Sequence, residues 1–167
     1  METETPVRTP ARIELMGTRV GAEFGKRFYR AGAALKGLPP ALSQLVELRA
    51  SQINGCGWCV DVHSKEAAAA GESAVRLALV AAWRESTVFT EAERAALALA
   101  EEGTRLADAA QGVSDATWAA VRAHYDEEQA AALVCLVSMI NAANRMGVIT
   151  RMRGGSYAPG VFAALED

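Results

Sequence analysis

The amino-acid sequence predicts an all-α fold. No stretch alternates apolar and polar residues for long, and alanine is abundant throughout the chain. Signals that start and end helices also recur from one end of the chain to the other. With 167 residues, of which 51% are hydrophobic, we expect a single compact multi-helix domain that spans residues 1–167 and buries a real core.

Three helices are expected in the first half of the chain. Their expected ranges are 22–35, 40–53 and 56–70. Gly37 and Gly71 follow the first and third of these helices, and Asn54-Gly55 separates the second from the third. Before them we expect residues 1–10 to form a loose arm, in which Thr9-Pro10 could start a short helix because proline is accepted in a first turn.

Four further helices each begin at a residue type that caps helix N-termini. The capping residues are Ser73, Thr90, Ser114 and Asp126. Thr90 and Asp126 are followed three residues later by Glu93 and Gln129, which is the spacing of a capping box. The first, third and fourth of these helices are expected to end near Trp83, His124 and Met146, the last with Gly147 as its stop. The glycine-rich residues 150–160 are expected to be irregular.

Composition excludes several classes of partner. The net charge is −3 and no long block of Lys and Arg appears, so we expect no nucleic-acid surface. No apolar run reaches 18 residues, so we expect no membrane span. The polar N-terminus lacks the apolar region of a signal peptide, so we expect a cytoplasmic protein.

The most informative motif is residues 51–63, SQINGCGWCVDVH, which holds a C-x-x-C pair and a histidine. On a helix, Cys56, Cys59 and His63 point within about 60° of one another, so the imidazole can reach the second thiol one turn back. The N–H groups and positive dipole end at a helix start favour a thiolate. Tightening of the first turn would let the two sulfurs form a disulfide. Because so small a ring stabilises the fold little, the disulfide is better suited to a redox switch than to a structural role.

Other interpretations of the cysteine pair stay open from the residues alone. In the cytoplasm, a C-x-x-C pair indicates a metal or redox site more often than a structural disulfide. Zinc needs four ligands, so His124, Cys135 or a carboxylate would have to complete a site begun by one helix. The c-type haem signal is absent because Val60 follows the second cysteine. His63 could serve in a proton relay or could simply cap or pack.

Several other polar and aromatic residues have less specific interpretations. Cys135 lies in the apolar run AAALVCLVSMI, which predicts a buried, inert thiol. Trp58 is expected to be a pocket wall or an interface residue, and Asp61 is expected to be solvated. His124 is expected to be a helix-end residue. A modest basic cluster is formed by Arg145, Arg151 and Arg153. Salt bridges between subunits explain it as well as an anionic ligand does.

The sequence resembles the carboxymuconolactone decarboxylase family, specifically its alkylhydroperoxidase D branch. The segment QLVELRASQINGCGWCVDVHSKEA is similar to the core motif of that branch. The segments AAWRESTVFTEAERAALALAEEGTRLA and MINAANRMGV are similar to its downstream segments, so the resemblance covers residues 38–148. The resemblance implies an all-α fold that assembles into homotrimers or hexamers.

The resemblance also implies a thiol peroxidase that needs neither a cofactor nor a metal. Its substrate would be a peroxide, and its reductant a dithiol protein or a small thiol. By position, Cys59 would attack the peroxide, Cys56 would be the resolving thiol, and His63 would belong to the proton relay. The family relay usually begins with a glutamate twelve residues before the first cysteine, where this chain has Gln44. Glu47, three residues further on, could substitute for it.

Two other functions remain on the same scaffold. A non-enzymatic redox sensor or binding subunit is favoured by Gln44, because an amide cannot take up a proton. The family also includes true decarboxylases, which generally lack the cysteine pair, so Cys56 and Cys59 indicate a different chemistry.

Overall fold

The computed structural model describes residues 9–33, 35, 37–109 and 111–161, and these residues form helices and connecting segments without a strand. This confirms the predicted all-α fold. The helices are α1 (Arg19–Ala33), α2 (Pro40–Asn54), α3 (Gly57–Ala69), α4 (Ala74–Leu79), α5 (Glu91–Thr104), α6 (Asp115–His124) and α7 (Glu127–Thr150). Short 3-10 helices cover Leu15–Gly17 and Val80–Glu85.

The predicted helix starts are confirmed by side-chain capping. The side chains of the four predicted capping residues accept hydrogen bonds from the backbone of the following turn. Thr90 with Glu93 and Asp126 with Gln129 each form both bonds of a capping box. These starts are predictable because a cap is a bond between residues three positions apart, which the packing of distant helices does not change.

The region before α1 differs from the prediction. Residues 9–14 are not helical, so the helix start expected at Thr9-Pro10 is wrong. The N–H of Arg12 donates to the carbonyl of Thr150 (2.8 Å), and the Nε of Arg153 donates to the carbonyl of Thr9 (2.9 Å). These bonds tie the segment to the end of α7. Residues 1–8 of the expected arm, and Lys36 at the expected end of the first helix, lie outside the described residues.

Helix α7 continues past Gly147, so the predicted stop there is wrong. The helix ends at Thr150, and Arg151 takes the left-handed conformation with φ 59°. The N–H of Met152 closes the last turn by donating to the carbonyl of Gly147 at 2.9 Å. The following residues up to 161 are irregular, as predicted.

Helix α2 forms the centre of the fold and packs against α3, α5 and α7. Leu45, Val46 and Leu48 of α2 are 0–1% exposed. Val46 belongs to an apolar cluster with α5, α6 and α7, whereas Leu45 and Leu48 pack with Trp83 and Phe89 on the other side. Burial of one such side chain stabilises the fold by about 1.5–3 kcal/mol. The central position of α2 therefore fixes the neighbouring helices relative to one another.

A buried polar network joins the end of α2 to α7. The amide nitrogen of Asn54 donates to the side-chain oxygens of Asn141 and Asn144, each at 2.9 Å. Asn144, which is fully buried, donates in turn to Ser51 Oγ at 3.0 Å. Asn141 donates to Thr104 Oγ1 of α5 at 3.0 Å. Because these bonds satisfy the polar side chains of the buried residues Ser51, Asn141 and Asn144, the network fixes the register between α2 and α7.

By length and composition alone, α7 is long and apolar enough to cross a membrane. No helix of this kind was predicted from the sequence. The most apolar window of α7 has a mean hydropathy of 1.6. The core helix of a soluble protein meets the same criteria, and 44% of this window is buried inside the structure. Because its inward face carries Asn141 and Asn144, both hydrogen-bonded to α2, we assign α7 as a core helix.

Replacement of Asn144 by Ala tests the network between α2 and α7. The change removes the acceptor of one Asn54 amide hydrogen and the donor to Ser51 Oγ, whose hydroxyl still donates to the carbonyl of Glu47. The free energy of unfolding should therefore fall by about 1–3 kcal/mol. Urea denaturation monitored by circular dichroism measures this. Ser138→Ala on the exposed face of α7 is the control, with an expected change within about 0.5 kcal/mol. Equal effects of the two substitutions would contradict a stabilising network.

Candidate active site

The site begins at the junction between α2 and α3. Gly55 takes the left-handed conformation there (φ 66°), which confirms the predicted break at Asn54-Gly55. The turn makes Cys56 the N-cap of α3, and its Sγ accepts a hydrogen bond from the N–H of Cys59 at 3.3 Å. The first cysteine therefore lies at the positive end of α3, where a thiolate would be stabilised.

Cys56 and Cys59 are joined by a disulfide in this structure, and their Cα atoms are 5.3 Å apart. The two residues are 1% and 5% exposed. Ala50 of α2 and Ile140 of α7 pack against them as part of one small apolar cluster. The sulfur pair is thus enclosed between three helices, and small reactants have access to it only where a cavity meets it.

Two side chains of α2 meet the ring of His63. Its Nδ1 lies 2.9 Å from Gln44 Oε1 and 3.3 Å from Glu47 Oε2. The sequence placed Gln44 and Glu47 on neighbouring faces of one helix, and the structure brings both to the same ring nitrogen. His63 itself lies one helical turn after Cys59 on α3. The residues of the expected relay are therefore assembled, and Glu47 is close enough to contribute a carboxylate.

Burial determines the protonation of this pair of ionisable groups. It raises the pKa of Glu47 to about 8. It lowers the pKa of His63 to about 4, although Glu66 acts in the opposite direction. His63 is therefore neutral at pH 7. The amide oxygen of Gln44 can only accept, so the bond between them places the imidazole proton on Nδ1 and leaves Nε2 able to take up a proton.

A cavity of about 730 Å³ opens beside the disulfide. Cys56 lines it, together with Gly147 of α7 and the irregular segment 151–155, whereas Cys59 is not among its lining residues. Arg151 and Arg153 also line this cavity, but Arg145 lines a second cavity of about 590 Å³ and donates to the carbonyl of Asn141 at 3.0 Å. The basic cluster expected from the sequence is therefore divided between two cavities.

Asp61 is not solvated, contrary to the prediction. Its carboxylate accepts hydrogen bonds from the N–H groups of Gly155 (2.6 Å) and Tyr157 (2.9 Å) and pairs with Lys65 at 2.7 Å. Burial acts to raise the pKa of Asp61, but these bonds outweigh it and lower the pKa. The prediction failed because the two backbone donors, Gly155 and Tyr157, lie more than 90 residues further along the chain.

The segment that Asp61 binds forms a strap over α3, which we define as residues 154–160. The hydroxyl of Tyr157 and the N–H of Gly160 both donate to Glu66. A Cβ on Gly154 would lie 2.3 Å from the carbonyl oxygen of Gly57, so only glycine permits the approach of the strap to the start of α3. The strap thus forms one wall of the cavity, a role that no local sequence pattern indicated.

Trp58 packs edge-on against Tyr157 of the strap, with ring centroids 5.7 Å apart. It is half-buried and is not among the residues that line the cavity beside Cys56, so its predicted place in a pocket wall is not found there.

Cys135 is exposed, so the prediction of a buried thiol is wrong. Helix α7 carries apolar residues on every side, and its sequence alone does not tell which side faces the core. His124 is the last residue of α6, as predicted. Among the residues that the structure describes, no group of three or more His, Cys, Asp and Glu side chains is placed to hold a metal ion.

Comparison with known proteins identifies the family of this chain. The chain matches the carboxymuconolactone decarboxylase family over residues 22–102. The uncharacterized protein YdfG of Bacillus subtilis (strain 168) is 37% identical over 113 residues, which cover 68% of this chain and 76% of YdfG.

Solved structures support the same relationship. ATU0492 of Agrobacterium tumefaciens, a protein of unknown function described as a candidate antioxidant defence protein AhpD, is 32% identical, with a TM-score of 0.80 over 89% of this chain and 100% of that one. A peroxidase-related protein of Ralstonia eutropha JMP134 with an alkylhydroperoxidase AhpD core gives a TM-score of 0.70 over 84% of this chain and 74% of that one. At 21% identity, this second similarity shows the fold alone. The chain therefore belongs to the carboxymuconolactone decarboxylase family and has an AhpD-like fold.

Proposed function

We propose that this protein is a thiol-dependent peroxidase that reduces peroxides through a dithiol–disulfide cycle of Cys56 and Cys59. The observation that carries the proposal is the buried cysteine pair at the start of α3, one turn before a histidine that contacts Gln44 and Glu47. The family supports it, because the AhpD-like relative ATU0492 is described as a candidate antioxidant defence protein.

The oxidative steps form one disulfide per peroxide. The thiolate of Cys59 attacks the terminal peroxide oxygen, which breaks the O–O bond, gives a sulfenic acid on Cys59 and releases an alcohol or water after protonation. The Cys56 sulfur then attacks the sulfenic sulfur, and the sulfenic oxygen leaves as one water as the disulfide forms. The disulfide in this structure corresponds to the product of that step.

The proton of the Cys59 thiol goes to the relay. A neutral His63 with its proton on Nδ1 takes up the thiol proton at Nε2, and the resulting imidazolium is stabilised by Glu47 when that carboxyl group is ionised, 3.3 Å away. Gln44 accepts the Nδ1–H and holds the ring in this orientation. Because Glu47 has a pKa of about 8, the proton-accepting relay becomes more populated as the pH rises towards that value.

The reductant, a dithiol protein or a small thiol, enters through the cavity beside Cys56. Its thiolate attacks the Cys56 sulfur, the bond to Cys59 breaks, and Cys59 leaves as the thiolate. A second thiol of the reductant then attacks the mixed disulfide and releases Cys56. The observation that supports this order is that Cys56 lines the cavity and Cys59 does not.

One observation favours exchanged roles for the two cysteines. Cys56 is the sulfur that caps α3 and faces the cavity, so it could instead be the thiol that attacks the peroxide. His63, one turn from Cys59, favours the first assignment. The chemistry of the cycle is the same in both cases.

A non-enzymatic redox sensor or binding subunit is the alternative function. Gln44 in place of the family glutamate favours it, whereas the approach of Glu47 to His63 favours catalysis. A sensor would form the same disulfide but would not consume peroxide repeatedly in the presence of a dithiol.

We also propose a cytoplasmic homotrimer or hexamer that binds neither nucleic acid nor membrane. Apolar side chains exposed before and along α1, among them Val20 (73% exposed) and Phe24 (50% exposed), support self-association. The net charge of −3 supports the absence of nucleic acid.

Peroxide consumption with a generic dithiol reductant tests the function and the relay together. We expect multiple turnovers in the wild type and none in Cys59→Ser. Glu47→Gln should lower kcat/KM by about 10²–10⁴-fold, which is the usual value of acid–base assistance. The wild-type rate should rise towards pH 8 more steeply than that of Glu47→Gln.

Gln44→Glu is the matched comparison, because it places a carboxylate at the other contact of the same ring nitrogen. It should change kcat/KM by less than about threefold, since Glu47 already provides that group. The proposal that Glu47 replaces the family glutamate is wrong if Gln44→Glu increases the rate and Glu47→Gln leaves it unchanged. A wild type that forms the disulfide once and then stops would establish the sensor instead.

Trapping of the reduced protein with limiting iodoacetamide distinguishes the roles of the two thiols. Cys59 should be alkylated before Cys56, because His63 accepts its proton, and His63→Ala should slow that labelling near pH 7. Peptide mass spectrometry quantifies each site, and His124→Ala serves as the control because His124 lies on α6, outside the site. Preferential labelling of Cys56 would establish the exchanged assignment.

Stability as a function of pH tests the raised pKa of Glu47 without any enzyme assay. Unfolded Glu titrates near 4.5, whereas folded Glu47 titrates near 8, so the folded state retains a proton that the unfolded state has lost. Stability contributed by Glu47 therefore falls as the pH rises between these two values. Below about 6.5, protonation of unfolded His63 has the opposite effect, so the clearest window is pH 6.5–8.

In that window, the free energy of unfolding of the oxidised wild type should fall by about 1 kcal/mol per pH unit relative to Glu47→Gln, whose amide does not titrate. Guanidinium denaturation at pH 6.5, 7.2 and 8 measures the difference. Parallel curves for the two proteins would show that Glu47 has an ordinary pKa.

A further inference from the structure

Gly147 of α7 lies directly against the sulfur pair. A Cβ placed on its backbone would be 2.6 Å from the Sγ of Cys56 and 3.7 Å from the Sγ of Cys59. The first distance is much shorter than the separation of nonbonded atoms in contact, which is about 3.5 Å or more. The second is an ordinary contact. An alanine at this position would therefore conflict with Cys56 alone.

The glycine has no conformational reason to be there. Gly147 lies within α7, three residues before the end of the helix, and the left-handed residue that ends the helix is Arg151. A glycine inside a helix is less favourable than an alanine, because it loses more backbone freedom on folding. Because the helix itself would favour alanine, the space needed by the Cys56 sulfur explains the residue.

The conflict depends on the redox state of the cysteines. In the disulfide, the bond to Cys59 holds the Cys56 sulfur in place, so it cannot rotate away from a new methyl group. In the dithiol, the Cys56 side chain can rotate about its Cα–Cβ bond to another staggered position. A methyl group at position 147 would therefore penalise the disulfide more than the dithiol.

We propose that Gly147 is a positioning residue of the dithiol–disulfide cycle, and this inference rests on the proposed function of the cysteine pair. Its bare backbone leaves the space that the Cys56 sulfur occupies when it is bonded to Cys59. The residue thereby sets the balance between the oxidised and reduced forms. It does so through the position of one sulfur, and the equilibrium between the two forms does not depend on how peroxide or reductant reaches the cavity that Gly147 also lines.

The redox equilibrium of Gly147→Ala with dithiothreitol tests the proposal. Two electrons pass from the dithiol reagent to the disulfide, which yields two protein thiols and one cyclic disulfide. After acid quenching and alkylation, mass spectrometry gives the oxidised fraction at each reagent ratio. The equilibrium should shift at least about tenfold towards the protein dithiol, because overpacking of a buried site usually has a penalty of this order.

Gly103→Ala is the matched control. Gly103 lies in α5, and a Cβ there would be 3.0 Å from Cγ1 of Val137, a tight contact that involves no sulfur. This substitution should lower the melting temperatures of the oxidised and reduced forms equally and leave the redox equilibrium within about twofold of the wild type. Gly147→Ala should lower the melting temperature of the oxidised form more than that of the reduced form.

Removal of the Cys56 sulfur provides the second test. In a Cys56→Ala background, Gly147→Ala should leave the melting temperature unchanged or raise it, because the atom it would meet is gone and the helix itself favours alanine. If Gly147→Ala fails to fold with Cys56 present and folds in that background, the proposal is supported. Failure to fold in both backgrounds, or an equal effect on oxidised and reduced protein, would overturn it.

These outcomes are separate from those of the proposed function. If the wild-type Cys56–Cys59 disulfide neither forms with peroxide nor opens with dithiothreitol, the peroxidase proposal fails before Gly147 is considered. If the wild type cycles normally and Gly147→Ala shifts the equilibrium no more than Gly103→Ala does, only the role of Gly147 is wrong.

Discussion

The hydrogen bonds from Asn54 to Asn141 and Asn144 are the interaction on which the rest of the site depends. They join the half-buried last residue of α2 to two buried residues in the C-terminal half of α7. Cys56 starts α3 only two residues after Asn54, and Gly147 follows Asn144 by less than one turn of α7. The register set by these amides therefore determines where α7 passes the sulfur pair.

The same close packing gives the site its chemical character. Burial keeps His63 neutral and Glu47 protonated near pH 7, so the site contains an uncharged base beside a carboxyl group that ionises only towards pH 8. The fold thus places two titratable groups where their pKa values are moved in opposite directions, which is a common property of acid–base sites.

Much of the site was visible in the sequence because it is local. The cysteine pair and His63 lie on one helix, and their spacing alone places them within reach of one another. The suggestion that Glu47 could replace the family glutamate at Gln44 also came from helical spacing, and the structure brings both side chains to the same nitrogen. The prediction that Asp61 is solvated was wrong because the two N–H groups that bind its carboxylate come from the end of the chain.

The sequence by itself determined the helical class of the fold, four helix caps and the cysteine motif, because each depends on residues three or four positions apart. Tertiary structure decided which sides of those helices became buried. Helix α7 carries apolar residues on every side, so only its packing shows that Cys135 is exposed while Gly147 lies against the sulfurs. Contacts between residues far apart in the chain depend on the positions of whole helices, which no local pattern records.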